Sequence, residues 1–135
     1  MTAWLLKTEP HEFSFDDLVK NGTEPWNGVA NFMALRNMKA AEMGDRCVIY
    51  HTGDEKRAVG LATVCKLAYP DPQLDDPKRI VIDVQAGKPL ERPVTLAEMK
   101  ADPRFADSPL VRQGRLSVVP LTDEQYEAIV SWPGK

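Results

Sequence analysis

The sequence has little cysteine, little histidine and no long apolar run, and each shortage closes a class of function. Cys47 and Cys65 are the two cysteines in 135 residues. Each sits inside an apolar stretch, residues 46–50 and 63–67, and with no secretory signal they read as free thiols in strands. His11 and His51 do not combine with them at any recognised metal-ligand spacing, so no metal and no cofactor is expected. No window approaches about 18 consecutive apolar residues, which excludes a membrane-spanning helix and a membrane partner of that kind. The first residues, Met1 to Lys7, turn polar too soon for a signal peptide, so the expected location is cytoplasmic. Neither GxGxxG nor GxxxxGK followed by Ser or Thr occurs, which removes the Rossmann and P-loop readings. Without repeats, low-complexity tracts or a long linker, residues 1–135 are expected to form a single domain.

Positive charge is also short. There are 17 basic and 20 acidic residues, a formal net charge of −3. That argues against a nucleic-acid binder driven by charge alone, while leaving room for a local basic face. Residues 1–45 carry 4 basic and 7 acidic side chains, residues 46–92 carry 8 and 7, and the remainder 5 and 6. A cationic face is therefore expected from the later two-thirds.

What is present is an ordinary globular composition, 43% apolar and 27% charged, with 11 prolines punctuating short elements. Alternation predicts strands over residues 3–8, 46–51, 57–67, 79–85 and 116–119. Ser14 caps a helix through Lys20, stopped by Asn21-Gly22. Helical spacing runs from Val29 to Met38. Three prolines make residues 69–77 an extended loop. Thr95 and Glu98 form a capping box, a helical turn lies within residues 105–111, and Thr122 caps a last helix to about Trp132. About five strands and five short helices, interspersed, indicate an α+β domain with a curved or barrel-like mixed sheet.

Several strings carry chemistry. Trp4-Leu5-Leu6-Lys7-Thr8-Glu9-Pro10 runs a strand into an amine, a hydroxyl and a carboxylate. That tip is a solvated strand end or the mouth of a pocket. Trp26 lies among turn residues, so its indole either folds back into the core or stands as a stacking platform. The Asn31 amide both donates and accepts, which suits a base edge, and equally suits a helix cap. Tyr50 and Thr52 share a strand face at a strand end. His51 reads as a buried, hydrogen-bonded side chain before a catalytic one. No cysteine lies in a recognisable nucleophile turn. Arg112, Arg115 and Ser117 gather at the start of a late strand, where arginines grip phosphates or pair with Asp107. Lys56-Arg57 is a solvated hairpin first and a phosphate contact second.

Taken in order, residues 4–10, Trp26-Asn27-Gly28-Val29, residues 50–56, Val59-Gly60-Leu61-Ala62, residues 68–72, Arg92-Pro93-Val94-Thr95-Leu96 and Arg115-Leu116-Ser117-Val118 resemble an EVE domain over roughly residues 3–132. The resemblance implies a PUA-like fold, related to the YTH and ASCH domains: a distorted mixed β-barrel with short flanking helices. It also implies a non-catalytic module for nucleic acid, DNA before RNA, carrying a modified base such as 5-methylcytosine or 5-hydroxymethylcytosine. Such a module acts as a monomer and relies on a separate effector protein. On this resemblance Trp26 forms the stacking wall, Lys7, Thr8 and Glu9 line the mouth, and Asn31, Tyr50, Thr52 and Ser117 add polar contacts. Lys56, Arg112 and Arg115 hold phosphates. Many members read Trp-Asp-Gly-Val-Arg-Asn where this chain has Asn27 and Ala30. The alternative is a binding protein for a free small molecule, a nucleotide or modified nucleoside.

Overall fold

Alternating and continuous apolar runs build five of six strands, and capped polar-apolar segments build the helices between them. The computed structural model describes residues 3–133. In chain order the elements are β1 (Ala3–Thr8), α1 (Phe15–Asn21), β2 (Thr23–Pro25), α2 (Phe32–Ala40), β3 (Arg46–His51), β4 (Arg57–Pro70) and β5 (Ile80–Thr95). There follow α3 (Leu96–Ala101), a 3-10 turn (Pro103–Phe105), α4 (Pro109–Arg112), β6 (Val118–Leu121) and α5 (Asp123–Val130).

The sheet runs β2-β5-β4-β3-β1-β6. β1 lies parallel to β3, and the other neighbours are antiparallel. The α+β class and the mixed sheet agree with expectation. The strand count is six rather than five, and the sheet is partly open, ending at β2 and β6. The added strand, β2, has no alternating apolar signal: it is three residues long, has exposed ends and finishes in a proline. Proline is tolerated there because β2 is an edge strand.

Boundaries moved where a cap or a partner overrode the pattern. Asn31 accepts a hydrogen bond from the Ala34 amide, so α2 starts at Phe32 rather than Val29. β4 extends to Pro70, where it pairs with Ile80, because β5 supplies a partner that outlasts the apolar run. β5 continues to Thr95 across repeated register shifts against β4. β6 begins at Val118 and α5 ends at Val130, each within two residues of expectation. The capping boxes at Ser14, Thr95 and Thr122 all form.

β1 is paired on both sides, by β3 and β6, and both its faces are apolar: Ala3, Trp4, Leu5 and Leu6 are all buried. The Trp4 indole donates to Asp45 Oδ2 at 2.9 Å, and the same oxygen accepts from the Glu42 amide at 2.8 Å. A buried carboxylate thereby anchors the turn before β3. Gly60 lets β4 pass under Phe15, since a Cβ at position 60 would lie 2.3 Å from that ring. His51, at the end of β3, is also buried. Its Nε2 accepts from the Phe15 amide at 3.0 Å, which leaves the ring proton on Nδ1, 2.9 Å from Glu55 Oε1. One of the orphan N–H groups of α1 is thus satisfied by a side chain from the sheet.

These ties place the polar end of β1 beside the end of β3. The Thr52 amide donates to the Thr8 carbonyl at 2.9 Å, and the Lys7 amide donates to the Ser117 carbonyl at 2.9 Å.

Candidate nucleic-acid interface

β1 passes from core to surface within two residues, so Lys7 emerges where an apolar layer meets solvent. Its Nζ donates to the Gly114 carbonyl at 2.9 Å and lies 5.7 Å from the centre of the Tyr50 ring. Burial of the ammonium pushes its pKa below the usual lysine value. Two small cavities open on either side of this side chain.

The first, about 170 Å³, is lined by Lys7, Tyr50, Thr52, Lys56, Lys100 and apolar residues that include Leu96 and Leu110. Three lysines and no carboxylate line it. Burial raises the Tyr50 hydroxyl to about 12, so it stays protonated and can donate. Lys56 is the single non-glycine residue with positive φ among the described residues, at 46°. Its carbonyl accepts from the Leu96 amide at 2.8 Å, which ties the hairpin to the start of α3. This left-handed position closes the hairpin between β3 and β4 beside the cavity.

The second cavity, about 140 Å³, is lined by Lys7, Thr8, Phe13, Glu24, Pro25, Trp26 and Asn27. Trp26 is 5% exposed. Phe13 packs edge-on against its ring, with centroids 6.0 Å apart, and the Trp26 amide donates to the Ile82 carbonyl at 2.7 Å. The indole therefore folds into the core, and its remaining exposed rim faces the cavity. Thr8 Oγ1 donates to the Phe13 carbonyl at 2.6 Å. Glu24 accepts from Asn21 at 2.6 Å. Both cavities fall below the ~300 Å³ at which pockets for drug-sized ligands begin. Each suits a single ring or one phosphate group.

The structure therefore brings Lys7, Thr8 and Trp26 to one cavity, and Lys7, Tyr50, Thr52 and Lys56 to the other. Glu9 stands just behind, with its carboxylate 3.2 Å from Thr52 Oγ1. Besides Glu9, four sequence candidates line neither cavity. Asn31 caps α2. Ser117 contributes its carbonyl to the Lys7 amide. Arg112 pairs with Asp107 at 3.0 Å in an exposed ion pair and also donates to the Ala106 carbonyl. Arg115 is exposed next to Gly114, whose carbonyl holds Lys7. Sequence reasoning missed Phe13, Glu24 and Lys100. Lys100 carries no local signal, because it reads as the ordinary basic residue of a helix's last turn.

The cationic surface also departs from the segment arithmetic. Lys7, Arg36 and Lys39, all from the acidic first third, face cavities alongside later residues. Counting charge along the chain cannot show which side of a fold a residue takes. Among the described residues no group of three metal-ligating side chains occurs, and no helix is long and apolar enough to cross a membrane. Burial raises both thiols, Cys47 strongly, so neither is a ready thiolate.

Comparison with known proteins places this geometry among relatives. A family model described as EVE domain matches residues 2–132. Thymocyte nuclear protein 1 of Danio rerio is 30% identical, over 96% of this chain and 71% of its own length. A Rhodopseudomonas palustris protein solved by NMR is 42% identical with a TM-score of 0.89, covering 96% of this chain and 91% of that one. The crystal structure of human THYN1 protein in complex with 5-methylcytosine containing DNA superposes with a TM-score of 0.90 at 29% identity, over 100% and 99% of the two chains. An ASCH protein from Zymomonas mobilis shares the fold at 16% identity and a TM-score of 0.63.

Proposed function

The chain belongs to the EVE domain family, and on that premise we propose that it is a non-catalytic module that binds DNA carrying a modified cytosine. The observation that supports this most is the pair of small cavities meeting at Lys7. One offers three ammonium groups and no carboxylate. The other offers a tryptophan rim, a threonine, an asparagine and a glutamate. The first suits a phosphate and the second the edge of a pyrimidine. The human relative solved with 5-methylcytosine containing DNA supports the same ligand class.

The energetics suit a small pocket. A base inside a duplex must leave the stack to be inspected, at a cost of a few kcal/mol. Contact with aromatic rings returns about 1–3 kcal/mol. Polar groups at Thr8, Asn27 and Glu24 then fix orientation, and a niche for one methyl adds about 1–3 kcal/mol of preference. Discrimination is selective rather than absolute. Lys56 and Lys100 hold the flanking phosphate, with Arg115 at the rim. The chain works as a monomer and passes its signal to a separate effector.

A second reading, a free nucleotide or modified nucleoside, draws on the net charge of −3 and on the small size of both cavities. One titration separates them. Short single- and double-stranded oligonucleotides with cytosine, 5-methylcytosine or 5-hydroxymethylcytosine are measured at low and moderate salt beside the free nucleosides. A DNA module prefers a modified oligonucleotide and loses affinity steeply with salt. Binding to free nucleoside alone, with little salt dependence, would replace the first reading with the second.

A further inference from the structure

Beyond Lys7, the largest unexplained feature is a cleft between α2 and the loop of residues 71–79. Its volume is about 490 Å³, within the range of true ligand sites. Phe32, Leu35, Arg36 and Lys39 come from α2, and Lys78 and Arg79 from the loop. Phe32 is 79% exposed, an extreme value for phenylalanine, and Met33 beside it is 41% exposed. None of the four cations has a carboxylate partner among the described residues. Asp76 is the one lining carboxylate, and its Oδ1 already accepts from the Lys78 amide at 2.9 Å. Arg79 is fixed in place, its Nε donating to the Val29 carbonyl at 3.0 Å.

Four cations beside a bare aromatic ring, on a chain of net charge −3, form a segregated patch. Charge complementarity selects a polyanion, and the exposed ring selects one that carries flat apolar groups. A duplex hides those groups in its stack, whereas an unpaired strand presents them. We infer that this cleft holds an unpaired nucleic-acid segment, its phosphodiesters on Arg36, Lys39, Lys78 and Arg79 and one base stacked on Phe32. The inference rests on the nucleic-acid reading above and extends it to the path of the strand. Asn27 lines the Trp26 cavity and Ala30 lines the cleft. Three residues span at most ~11 Å, so a strand with one base in the cavity reaches the cleft within its next few nucleotides.

The test is a length series on the full chain. Single-stranded trimers and nonamers with a central cytosine or 5-methylcytosine are titrated at two salt concentrations. The wild-type chain is compared with Phe32→Ala and with the double variant Arg36→Gln/Lys39→Gln, and thermal melts check that these exposed substitutions leave the fold intact. The nonamer binds the wild type at least tenfold tighter than the trimer. Phe32→Ala loses about fivefold or more of that gain. The double variant loses most of it, and its salt slope falls by about 0.7 per charge removed. Trimer affinity and base preference stay unchanged.

A nonamer no tighter than the trimer, or a gain that survives the double variant, overturns the cleft and leaves the base pocket standing. A length gain that vanishes in the variant, with no preference for 5-methylcytosine, supports the cleft and overturns the base reading instead. No binding by any oligonucleotide overturns both. So does capture of phosphatidylserine vesicles through these residues in its place, which would make the patch a membrane-surface contact.

Discussion

The first Lys7 cavity and the α2 cleft are both cationic, but they are built differently. Around Lys7 the side chains at the ends of β1 and β3 are buried or half-buried, and Lys7, Thr8 and Thr52 have fixed partners in Gly114, Phe13 and Glu9, with the exposed Lys56 and Lys100 at the rim. Around Phe32 the groups project from an exposed helix face and a loop, and Arg79 is tied to the backbone carbonyl of Val29. Partly desolvated, pre-positioned groups discriminate between ligands, because an unmatched partner leaves a buried polar atom unpaired. Solvated cations attract any polyanion and are screened by salt. The first region therefore suits choosing a base, and the second suits holding a strand.

Three substitutions break or sharpen this contrast. The largest effect is expected from Trp26→Ala. With 5% exposure and an edge contact to Phe13, Trp26 is a core residue that also walls a cavity. Its truncation costs about 3–5 kcal/mol, seen as a lower urea midpoint at unchanged slope. It also loosens the segment joining the two regions, so both lose affinity. A stable Trp26→Ala chain that loses only base preference would instead make the ring a pure stacking wall.

An intermediate effect comes from Lys7→Met. Loss of a charged hydrogen-bonding group weakens binding of modified oligonucleotide by about 1.5–3 kcal/mol, roughly tenfold to a hundredfold. The pH dependence carries the signature. Lys7 binds an anion while protonated, and its pKa lies below the ordinary lysine value. Affinity therefore falls as pH rises through a point below 10.5. In Lys7→Arg that alkaline fall disappears, because arginine stays charged. An identical alkaline limb in wild type and Lys7→Arg would remove Lys7 from the binding site.

The smallest effect belongs to Arg115→Ala. This exposed side chain next to Gly114 contributes one rim contact. Its loss lowers the salt slope by roughly 0.7–0.9 and weakens all sequences alike. A change in base preference would move Arg115 from the rim into the pocket.

Much of the fold was legible. The capping boxes at Ser14, Thr95 and Thr122 and the alternation over residues 46–51 depend on neighbours a few residues away, so the pattern suffices. β2 was not legible, because its three residues become a strand through pairing with β5. Nor was the reach of β4 and β5, where two strands sustain each other across irregular register. In the candidate site, the strings around Lys7, Trp26 and Tyr50 contain the residues that the fold brings to the two cavities. For Asn31 and Arg112 the sequence offered the observed cap and the Asp107 pair only as alternatives, and the placement of Ser117 was hidden, since a side chain's partner is chosen in space.

The sequence by itself determined the local elements, the family and the shortage of positive charge, all properties of residue type and short spacing. The tertiary structure alone decided that Trp26 turns inward and that Lys7 meets Lys56 and Lys100 around one cavity. It also decided that Arg36 and Lys39 face Lys78 and Arg79 across another. Local hydrogen bonding and burial pattern are short-ranged along the chain. Desolvation and charge clustering depend on which distant segments the sheet brings side by side.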